Sequence, residues 1–385
     1  MHSRHVLLVN DHPAWSGIGR YVRELHLALR AQPPTDLTVD LLLQNMPGRA
    51  DPADWCSPLD DAPASHVSVQ PRPRWADRNG FGLSYLINSH LRFPRRIPNG
   101  YDLYHISSQM MGASIGHAAP AVVTVHDLIA FRLAANQPPV STWLRRRHFR
   151  PLRRASGLAF TSEFSRRDFL TRFDYPEHRT TVIHHGVSDA FGPRDRAASR
   201  NALQLPHDRP VLLHVGSEER RKNVETLLEA VAVLVKERPD LLLLRIGGGS
   251  SRSRRLIARL RLERHVRYVP GISDSQLAAC YSAADLFVFP SYFEGFGLPV
   301  LEAMKAGCPV VAARATSLPE ITGEAALLFE AMDVAALART VGSLLDDASQ
   351  REELRRRGMA RAAGFTWERA ARQTLEAYRR VLDST

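Results

Sequence analysis

The pattern of apolar and polar positions divides the chain into short apolar runs separated by longer amphipathic stretches. Apolar runs of this length, bounded by polar or turn residues, are typical of buried β-strands. Strands that alternate with helical stretches indicate parallel sheets covered by helices on both faces. The predicted strands are Val6–Val9, Leu37–Leu43, Leu103–His105, Val122–Val125, Leu158–Thr161, Val211–Val215, Leu241–Ile246, Val266–Val269, Leu286–Phe289 and Val310–Ala312.

One amphipathic stretch shows the helical period clearly. It begins after Asn223, a residue type that favours the N-cap of a helix, and Pro239 follows its end. Its apolar positions fall on one helical face, which we expect to pack against a sheet. These positions are Val224, Leu227, Leu228, Val231, Leu234 and Val235.

The length of 385 residues exceeds what one hydrophobic core usually organises, so two domains are predicted. We interpret the polar segment 188–200, which contains Gly192 and Pro193, as the linker. Residues 1–188 and 189–364 then each form an α/β domain. Ligands bind such sheets at the carboxyl ends of their strands, so the expected fold is two Rossmann-like domains facing across a cleft. The proline-rich excursion 44–100 is expected to shape the site of the first domain.

Charge adds a question about partners. The net charge of +11 is carried by arginine, since Lys222, Lys236 and Lys305 are the only lysines. The arginines cluster, which fits an anionic membrane surface, an anionic substrate or simply solvated helix faces. No nucleic-acid partner is expected, because no nucleic-acid module accompanies the charge. The clusters are Arg92, Arg95 and Arg96; Arg145, Arg146, Arg147, Arg150, Arg153 and Arg154; and the arginines from Arg252 to Arg267.

The chain has no apolar run of about 18 residues and no pattern typical of a signal peptide, so a cytoplasmic protein is expected, with a possible peripheral contact at the inner membrane face. Cys56, Cys280 and Cys308 are widely spaced and are interpreted as reduced, mostly buried thiols. No Asp-x-Asp occurs, and the adjacent His184 and His185 are not a favourable metal pair, so we expect no metal. The oligomeric state is left open.

The most informative segment is Ser291–Gly307, which follows a predicted strand and reads SYFEGFGLPVLEAMKAG. Gly295 and Gly297 allow the backbone to approach a ligand closely. Pro299 suits the first turn of a helix and Gly307 its end. Backbone N–H groups near Phe296, Gly297 and Leu298 are then expected to point at a bound anion. Glu294 precedes this helix and Glu302 lies in its first turns, so the two carboxylates could contact two parts of one ligand.

The chain resembles family 4 of the retaining glycosyltransferases, which have the GT-B fold, along nearly its whole length. The Glu-x(7)-Glu pattern of Glu294 and Glu302 within EGFGLPVLEAMKAGCPVV is the specific signal. Weaker similarities are a donor-phosphate loop at Val215–Asn223, a histidine segment at Val122–Asp127, a glycine loop at Ser16–Tyr21, His184–Gly186 before the linker, and later landmarks at Ala315–Ile321 and Phe365–Glu368.

The resemblance implies roles for these residues. Glu294 would contact hydroxyls of the donor sugar, and Glu302 would hold the nucleotide ribose. Arg221 and Lys222 would neutralise the diphosphate. Many family members carry an arginine soon after the first glycine of this loop, where Ser217 stands here, so Arg220 or Arg221 could replace it. The C-terminal helix, residues 365–385, would cross back onto the first domain, which would bind the acceptor.

Two further elements have competing interpretations. His126 ends a predicted buried strand; the family places such a histidine near the transferred sugar, whereas the residues alone favour a structural hydrogen bond. Gly17 and Gly19 could begin a dinucleotide fingerprint, but Val22 stands where its third glycine belongs. A close approach of the backbone to the donor phosphates or to the acceptor is the preferred interpretation. Gly247–Gly249 either lines the donor site or only permits a turn.

The function predicted on this basis is metal-independent, retaining transfer of a hexose from a nucleoside diphosphate sugar to a hydroxyl acceptor, with no cofactor. The acceptor could be a glycan, a lipid-linked glycan or a small molecule. A sugar-nucleotide epimerase or hydrolase of the same fold, or an inactive sugar-nucleotide-binding protein, are the alternatives, because fold alone does not determine function. The sequence names neither the sugar, nor the base, nor the acceptor.

Overall fold

The structure is a computed structural model that describes residues 3–12, 16–45, 67–71, 92–132, 149–269 and 271–384. The chain divides into two compact units. Unit 1 comprises Met1–Gly186 and Trp367–Thr385, and unit 2 comprises Val187–Thr366. Each unit contains one parallel sheet. The predicted class, α/β with two Rossmann-like domains, is confirmed.

Unit 1 contains a seven-stranded sheet in the order β3-β2-β1-β4-β5-β6-β7. β1 therefore lies between β2 and β4, which is the point where the strand order reverses direction. The strands are β1 (Arg4–Asn10), β2 (Leu37–Asn45), β3 (Val67–Pro71), β4 (Leu103–Ile106), β5 (Ala121–Val125), β6 (Gly157–Phe160) and β7 (Thr180–Val182). Its α-helices are Gly17–Ala31, Ile129–Arg132, Glu163–Leu170 and Trp367–Asp383. Short 3-10 helices are Pro94–Arg96, Gln109–Gly116, Arg150–Arg154 and Glu177–Arg179.

Alternate residues of β1 pack on opposite faces of this sheet. Val6 and Leu8 join a cluster formed with the helices Gly17–Ala31 and Trp367–Asp383. Leu7 and Val9 join a second cluster, which includes Phe149. Because both faces are covered, the central part of the strand, Val6 to Val9, is apolar without interruption, as is usual in parallel sheets.

Unit 2 contains a six-stranded sheet in the order β10-β9-β8-β11-β12-β13, with its reversal point between β8 and β11. The strands are β8 (Val211–Val215), β9 (Leu242–Ile246), β10 (Val266–Val269), β11 (Leu286–Phe289), β12 (Val310–Ala313) and β13 (Leu327–Phe329). Its α-helices are Arg196–Ala202, Val224–Leu234, Ser251–Arg259, Asp274–Ala283, Leu298–Lys305, Leu318–Thr322, Val334–Asp346 and Ala348–Ala363, with 3-10 helices at Asp189–Phe191 and Arg220–Lys222. One hydrophobic cluster extends through this unit.

All ten predicted strands are present within a residue or two of their expected ends, and the described residues contain three more that were not predicted. The additional strands are β3, β7 and β13, and each lies at an edge of its sheet. Edge strands are short and partly solvated, so they lack the long apolar run that identifies a buried strand.

The prediction of a linker at 188–200 is wrong. This segment belongs to unit 2 and contains a 3-10 helix and the start of the helix Arg196–Ala202. Phe191 is fully buried. Arg200 is also buried and pairs with Asp285 at 2.8 Å. A polar composition concealed these contacts, because the carboxylate that pairs with the buried arginine lies 85 positions away in the chain.

The helix Val224–Leu234 buries its predicted apolar face except for the half-buried Val235, which follows its last residue. The structure corrects the expectation that Asn223 caps this helix with its side chain. Asn223 has a left-handed backbone (φ 53°) and its side chain does not cap the helix. Instead, its amide donates to the Pro290 carbonyl at 3.1 Å, and its Oδ1 accepts from Thr226 at 2.8 Å. Asn223 therefore holds the loop after β11 next to the start of this helix.

The C-terminal helix Trp367–Asp383 is part of unit 1. The Tyr378 hydroxyl forms a 2.6 Å hydrogen bond with His105 Nδ1. Arg379 donates two 2.7 Å hydrogen bonds to the Asp36 carboxylate. No helix within the described ranges is long and apolar enough to cross a membrane. Cys280 and Cys308 are buried free thiols. Cys56, most of the excursion 44–100 and Arg145–Arg147 lie outside the described residues.

Candidate functional site

Two loops of unit 2 lie at the carboxyl ends of neighbouring strands. The first follows β8 and the second follows β11, and these strands pair directly through Leu212 and Leu286. This is the reversal point of the sheet, where open α/β sheets bind their ligands. The Tyr292 N–H donates to the Arg221 carbonyl at 2.9 Å, so the two loops are also joined through their backbones.

Glycines shape both loops. Gly297 is the N-cap of the helix Leu298–Lys305 with φ +109°, a conformation that glycine adopts without strain. Pro299 lies in the first turn and Gly307, with φ +73°, follows the helix end, as predicted. Gly247 comes so close to the first loop that a Cβ on it would lie 2.3 Å from the Gly216 carbonyl oxygen. The Gly247–Gly249 turn thus packs against the loop after β8.

The two loops bring Arg221, Lys222 and Glu294 together. Arg221 Nη1 donates to Glu294 Oε2 at 2.9 Å, and Lys222 Nζ donates to Glu294 Oε1 at 2.7 Å. Arg221 Nε also donates to Glu219 Oε2 at 2.9 Å. Lys222 and Glu294 are only 8% and 7% exposed, so their attraction is weakly screened. The ammonium also lies 5.1 Å from the centre of the Phe289 ring.

These cations keep Glu294 ionised. Burial by itself raises the pKa of the carboxyl, but the charges of Lys222 and Arg221 and the hydrogen bond from Lys222 outweigh it. The pKa of Glu294 therefore lies below its ordinary value. The result is a preorganised ionic cluster beside the beginning of the helix Leu298–Lys305, whose N-terminal backbone N–H groups carry partial positive charge.

Gly295, Phe296, Gly297 and Leu298 form the turn that connects Glu294 to this helix. Ser317 fixes the turn from below, since its hydroxyl lies 3.0 Å from the Glu294 carbonyl and 2.9 Å from that of Phe296. The second predicted carboxylate, Glu302, is buried inside the helix and accepts a 2.9 Å hydrogen bond from the Tyr281 hydroxyl. Its position in the helix is as predicted, and Tyr281 is an anchor that the sequence did not suggest.

A second buried cation was missed by the sequence reasoning. Arg245 is fully buried at β9, and its guanidinium donates to Glu218 Oε1 at 2.6 Å and to His214 Nδ1 at 3.1 Å. Ser250 donates to the other oxygen of Glu218 at 3.0 Å. This network fixes the loop after β8 from beneath. An arginine inside the apolar run Leu241–Ile246 was the available signal, because such a residue needs a buried partner.

Ser217, which stands where an arginine was expected, makes its hydrogen bond within the loop after β8. Ser217 donates to Glu219 Oε1 at 2.9 Å, and Glu219 also accepts from Arg221. Burial raises the pKa of Glu219, but its bonds to Arg221 and Ser217 lower it below the ordinary value overall. Arg221, rather than Arg220, is thus the arginine directed toward Glu294.

In unit 1, His126 follows β5 and is held by several contacts. Its Nε2 lies 2.8 Å from the Ser107 carbonyl, which can only accept, so Nε2 carries the proton and Nδ1 is the acceptor nitrogen. Its ring lies edge-on to Tyr21 at 5.0 Å. Burial lowers its pKa to about 4, so the imidazole is neutral at pH 7. The structural hydrogen bond favoured by the residues alone is therefore present, and it also fixes the tautomer.

Gly17 and Gly19 do not form a loop of their own, which corrects the expectation from sequence. They lie in the first turn of the helix Gly17–Ala31, which Ser16 caps by accepting from the Gly19 N–H at 2.9 Å. A Cβ on Gly17 would meet no atom of the described residues within 4 Å.

The structure thus brings together Arg221, Lys222 and Glu294 within unit 2. The turn after Glu294 leads into the helix Leu298–Lys305, which contains Glu302. His126, Gly17 and Gly19 belong to unit 1. Within the part of the chain that the structure describes, no group of three or more His, Cys, Asp or Glu side chains is placed to hold a metal ion.

Comparisons with known proteins identify the family. Residues 195–361 match the family model described as Glycosyl transferases group 1, and residues 15–191 match Glycosyltransferase Family 4. The chain is 35% identical to O-antigen chain mannosyltransferase B of Escherichia coli over 67% of its length and 70% of that protein. It is 32% identical to D-inositol 3-phosphate glycosyltransferase of Streptomyces scabiei over 73% of its length and 68% of that protein.

The fold has close structural counterparts as well. The sucrose-phosphate synthase of Thermosynechococcus elongatus superposes with a TM-score of 0.78 at 25% identity, covering 99% of this chain and 100% of that one. Both halves of the chain thus match glycosyltransferase family models, and a curated relative covers most of its length. The chain belongs to the family 4 glycosyltransferases of the GT-B fold.

Proposed function

We propose that this glycosyltransferase moves a hexose from a nucleoside diphosphate sugar to a hydroxyl acceptor, with retention of the anomeric configuration and without a divalent cation. Unit 2 binds the donor and unit 1 binds the acceptor. The observation that carries the proposal is the cluster of Arg221, Lys222 and Glu294 beside the start of the helix Leu298–Lys305.

Departure of the nucleoside diphosphate places negative charge on the phosphate oxygen while the sugar becomes cationic. Lys222, Arg221 and the helix N-terminus supply fixed positive charge that stabilises the phosphate oxygen. Glu294 supplies negative charge that stabilises the cationic sugar. Because the cluster is preorganised in a largely buried place, little reorganisation accompanies the reaction. These fixed charges support the proposal of transfer without a divalent cation.

Lys222 and Glu294 retain enough hydrogen-bond donors and acceptors to bind the donor substrate. An ammonium has three donors, and the bond to Glu294 uses one of those of Lys222. Each carboxylate oxygen has two acceptor positions, so Glu294 can accept sugar hydroxyls while it remains bound to its cations. Glu302, anchored by Tyr281, would accept from the ribose hydroxyls.

In the retaining reaction, the bond between the anomeric carbon and the phosphate oxygen breaks and its electron pair stays on the diphosphate. The acceptor oxygen bonds to the anomeric carbon from the same face, and its proton passes to the leaving phosphate. The protein then contributes electrostatics and positioning. Neutral His126 would contact the sugar end of the site rather than act as a strong base.

A panel of UDP, GDP, ADP and dTDP sugars tests the donor class by thermal shift, because a ligand that binds the native state raises Tm. The best donor is then incubated with two acceptor probes: inositol 3-phosphate, which the name of a relative suggests, and methyl mannoside as a simple sugar. The anomeric configuration of the product is read by NMR. An inverted product, or activity that a chelator abolishes and one divalent ion restores, contradicts the proposal.

Product analysis without an acceptor separates transfer from the alternative activities. An epimerised nucleotide sugar would identify an epimerase, and stabilisation without turnover would identify a binding protein. For the peripheral membrane contact, the candidates among the described residues are the exposed arginines Arg92, Arg95, Arg96, Arg150, Arg153 and Arg154. Retention by liposomes that contain anionic lipid at low salt supports it, and no retention excludes it.

A further inference from the structure

The reversal point of the unit 1 sheet contains a carboxylate that the donor site does not use. Asp11 directly follows β1, and Ser107 directly follows the neighbouring strand β4. Ligands of open α/β sheets bind outside the carboxyl ends of the strands at such a point. In unit 2 the corresponding place, after β8 and β11, holds the Lys222 and Glu294 cluster.

The backbone around Asp11 is fixed by its neighbour. Asn10 Nδ2 donates to the His12 carbonyl at 2.7 Å, and Asn10 Oδ1 accepts from the His12 N–H at 3.2 Å. The Ser107 hydroxyl donates to the same Oδ1 at 3.0 Å. This closed turn determines where the side chains of Asp11 and His12 lie.

Asp11 is 1% exposed, and neither of its carboxylate oxygens has a hydrogen-bond partner in the described chain. The imidazole of His12 is a neighbour of this carboxylate: its Nε2 lies 3.5 Å from Asp11 Oδ1 and also lacks a hydrogen bond. That separation exceeds an ordinary N–H···O bond. A buried carboxylate without donors is costly, and such groups in native proteins usually have a functional reason.

A hydroxyl group matches the unused hydrogen-bonding capacity of these two side chains. It can donate to a carboxylate oxygen and accept from an imidazole N–H at the same time, which a purely anionic or purely cationic ligand cannot do. We propose that Asp11 and His12 form a hydroxyl-binding subsite for a polyhydroxylated acceptor, such as a sugar or cyclitol. This inference rests on the proposed function, since it specifies what unit 1 binds.

Asp168 provides a matched control within the same unit. It is also a buried carboxylate, at 8% exposed, but its Oδ1 accepts from Arg172 at 2.9 and 3.0 Å. Its charge is therefore used by the fold. Asp11→Asn and Asp168→Asn change the same chemical group by the same atom, so any difference between them reflects the surroundings.

The first experiment compares thermal unfolding of the two variants with that of the unaltered protein. We expect Asp168→Asn to lower Tm, because Arg172 loses its partner. Asp11→Asn is expected to raise Tm or leave it unchanged, because the carboxyl group that it replaces makes no hydrogen bond in the fold, and substitutions in binding sites commonly stabilise a protein. A fall in Tm for Asp11→Asn comparable to that of Asp168→Asn would show a structural carboxylate and overturn the inference.

The second experiment measures acceptor kinetics, with methyl mannoside and inositol 3-phosphate as probes. We expect Asp11→Asn to lower kcat/KM for the acceptor about tenfold to a hundredfold, the range for a hydrogen bond to a charged group. Nucleoside diphosphate affinity should stay unchanged. Unaltered acceptor kinetics overturn the inference. If the unaltered protein transfers to no acceptor, the proposed function fails, whereas the Tm comparison still supports or overturns the subsite.

Discussion

The Lys222 ammonium lies 2.7 Å from Glu294 Oε1, so the cation expected to bind the donor diphosphate is paired with the carboxylate expected to bind the donor sugar. Arg221 occupies the other oxygen of the same carboxylate. The phosphate and sugar ends of the proposed donor site are therefore mechanically coupled. Substitution of any one of the three residues therefore changes the electrostatic surroundings of the other two.

Lys222→Ala should lower turnover by roughly a hundredfold or more, because it removes a cation that stabilises the charge on the leaving phosphate. Nucleotide release with the best donor from the panel measures the effect. Lys236→Ala is the control, since this lysine is exposed on the same unit. Near-normal turnover of a folded Lys222→Ala protein would remove Lys222 from the reaction.

Glu294→Gln should reduce turnover most among the carboxylate variants, since Glu294 faces the sugar whose charge changes during transfer. The variant keeps the size of the side chain but leaves Lys222 and Arg221 without their anionic partner, so Tm should fall as well. Turnover and Tm are both measured. A variant that loses stability but transfers sugar normally would assign Glu294 a structural role only.

Glu302→Gln should mainly weaken donor binding, with the nucleoside diphosphate Kd rising about tenfold or more and turnover at saturation little changed. The reason is that ribose contacts are similar before and during transfer. Calorimetric titration gives the Kd. Tyr281→Phe should have a smaller effect in the same direction, because it removes only the hydroxyl that orients Glu302. An effect on turnover alone contradicts this role.

His126→Gln should impair turnover while the nucleoside diphosphate affinity stays nearly unchanged. The substitution should also change how the free energy of unfolding depends on pH in the acid range. The pKa of His126 in the folded protein is about 4, below its ordinary value of 6.5. The contribution of the neutral imidazole to the free energy of unfolding is therefore fully present above about pH 6.5 and declines as the pH falls toward 4. Urea unfolding at pH 7 and pH 4.5 measures this, and the variant should lose less stability than the unaltered protein. Equal losses would show that His126 titrates normally.

Arg200→Met should lower the unfolding free energy by about 3 kcal/mol, because it leaves the carboxylate of Asp285 with one arginine fewer in a buried place. Arg200 also donates to the carbonyls of Ala283, Pro206, His207 and Arg209 at 2.8 to 3.1 Å. Chemical denaturation measures the change, with the exposed Arg255→Met as control. Equal stability of the two variants would mean that the segment around Arg200 contributes little.

The sequence by itself determined the elements whose signals are local. A buried parallel strand needs several consecutive apolar residues, and a helix start needs particular residues at fixed offsets, so the ten strands and the turn from Glu294 through Gly297 to Pro299 were predictable. The family resemblance rested on the same local segments. The structure and the comparisons confirm the fold and the family that these segments predicted.

Only the tertiary structure decided which charges meet. Lys222 and Glu294 are 72 positions apart, Arg200 and Asp285 are 85 apart, and nothing in their local sequence specifies a partner. The same holds for Asp11, whose burial without a donor depends on the strands and turns packed around it. Burial and pairing are properties of the assembled sheet, because a charge in a low-dielectric interior responds to neighbours in space rather than along the chain.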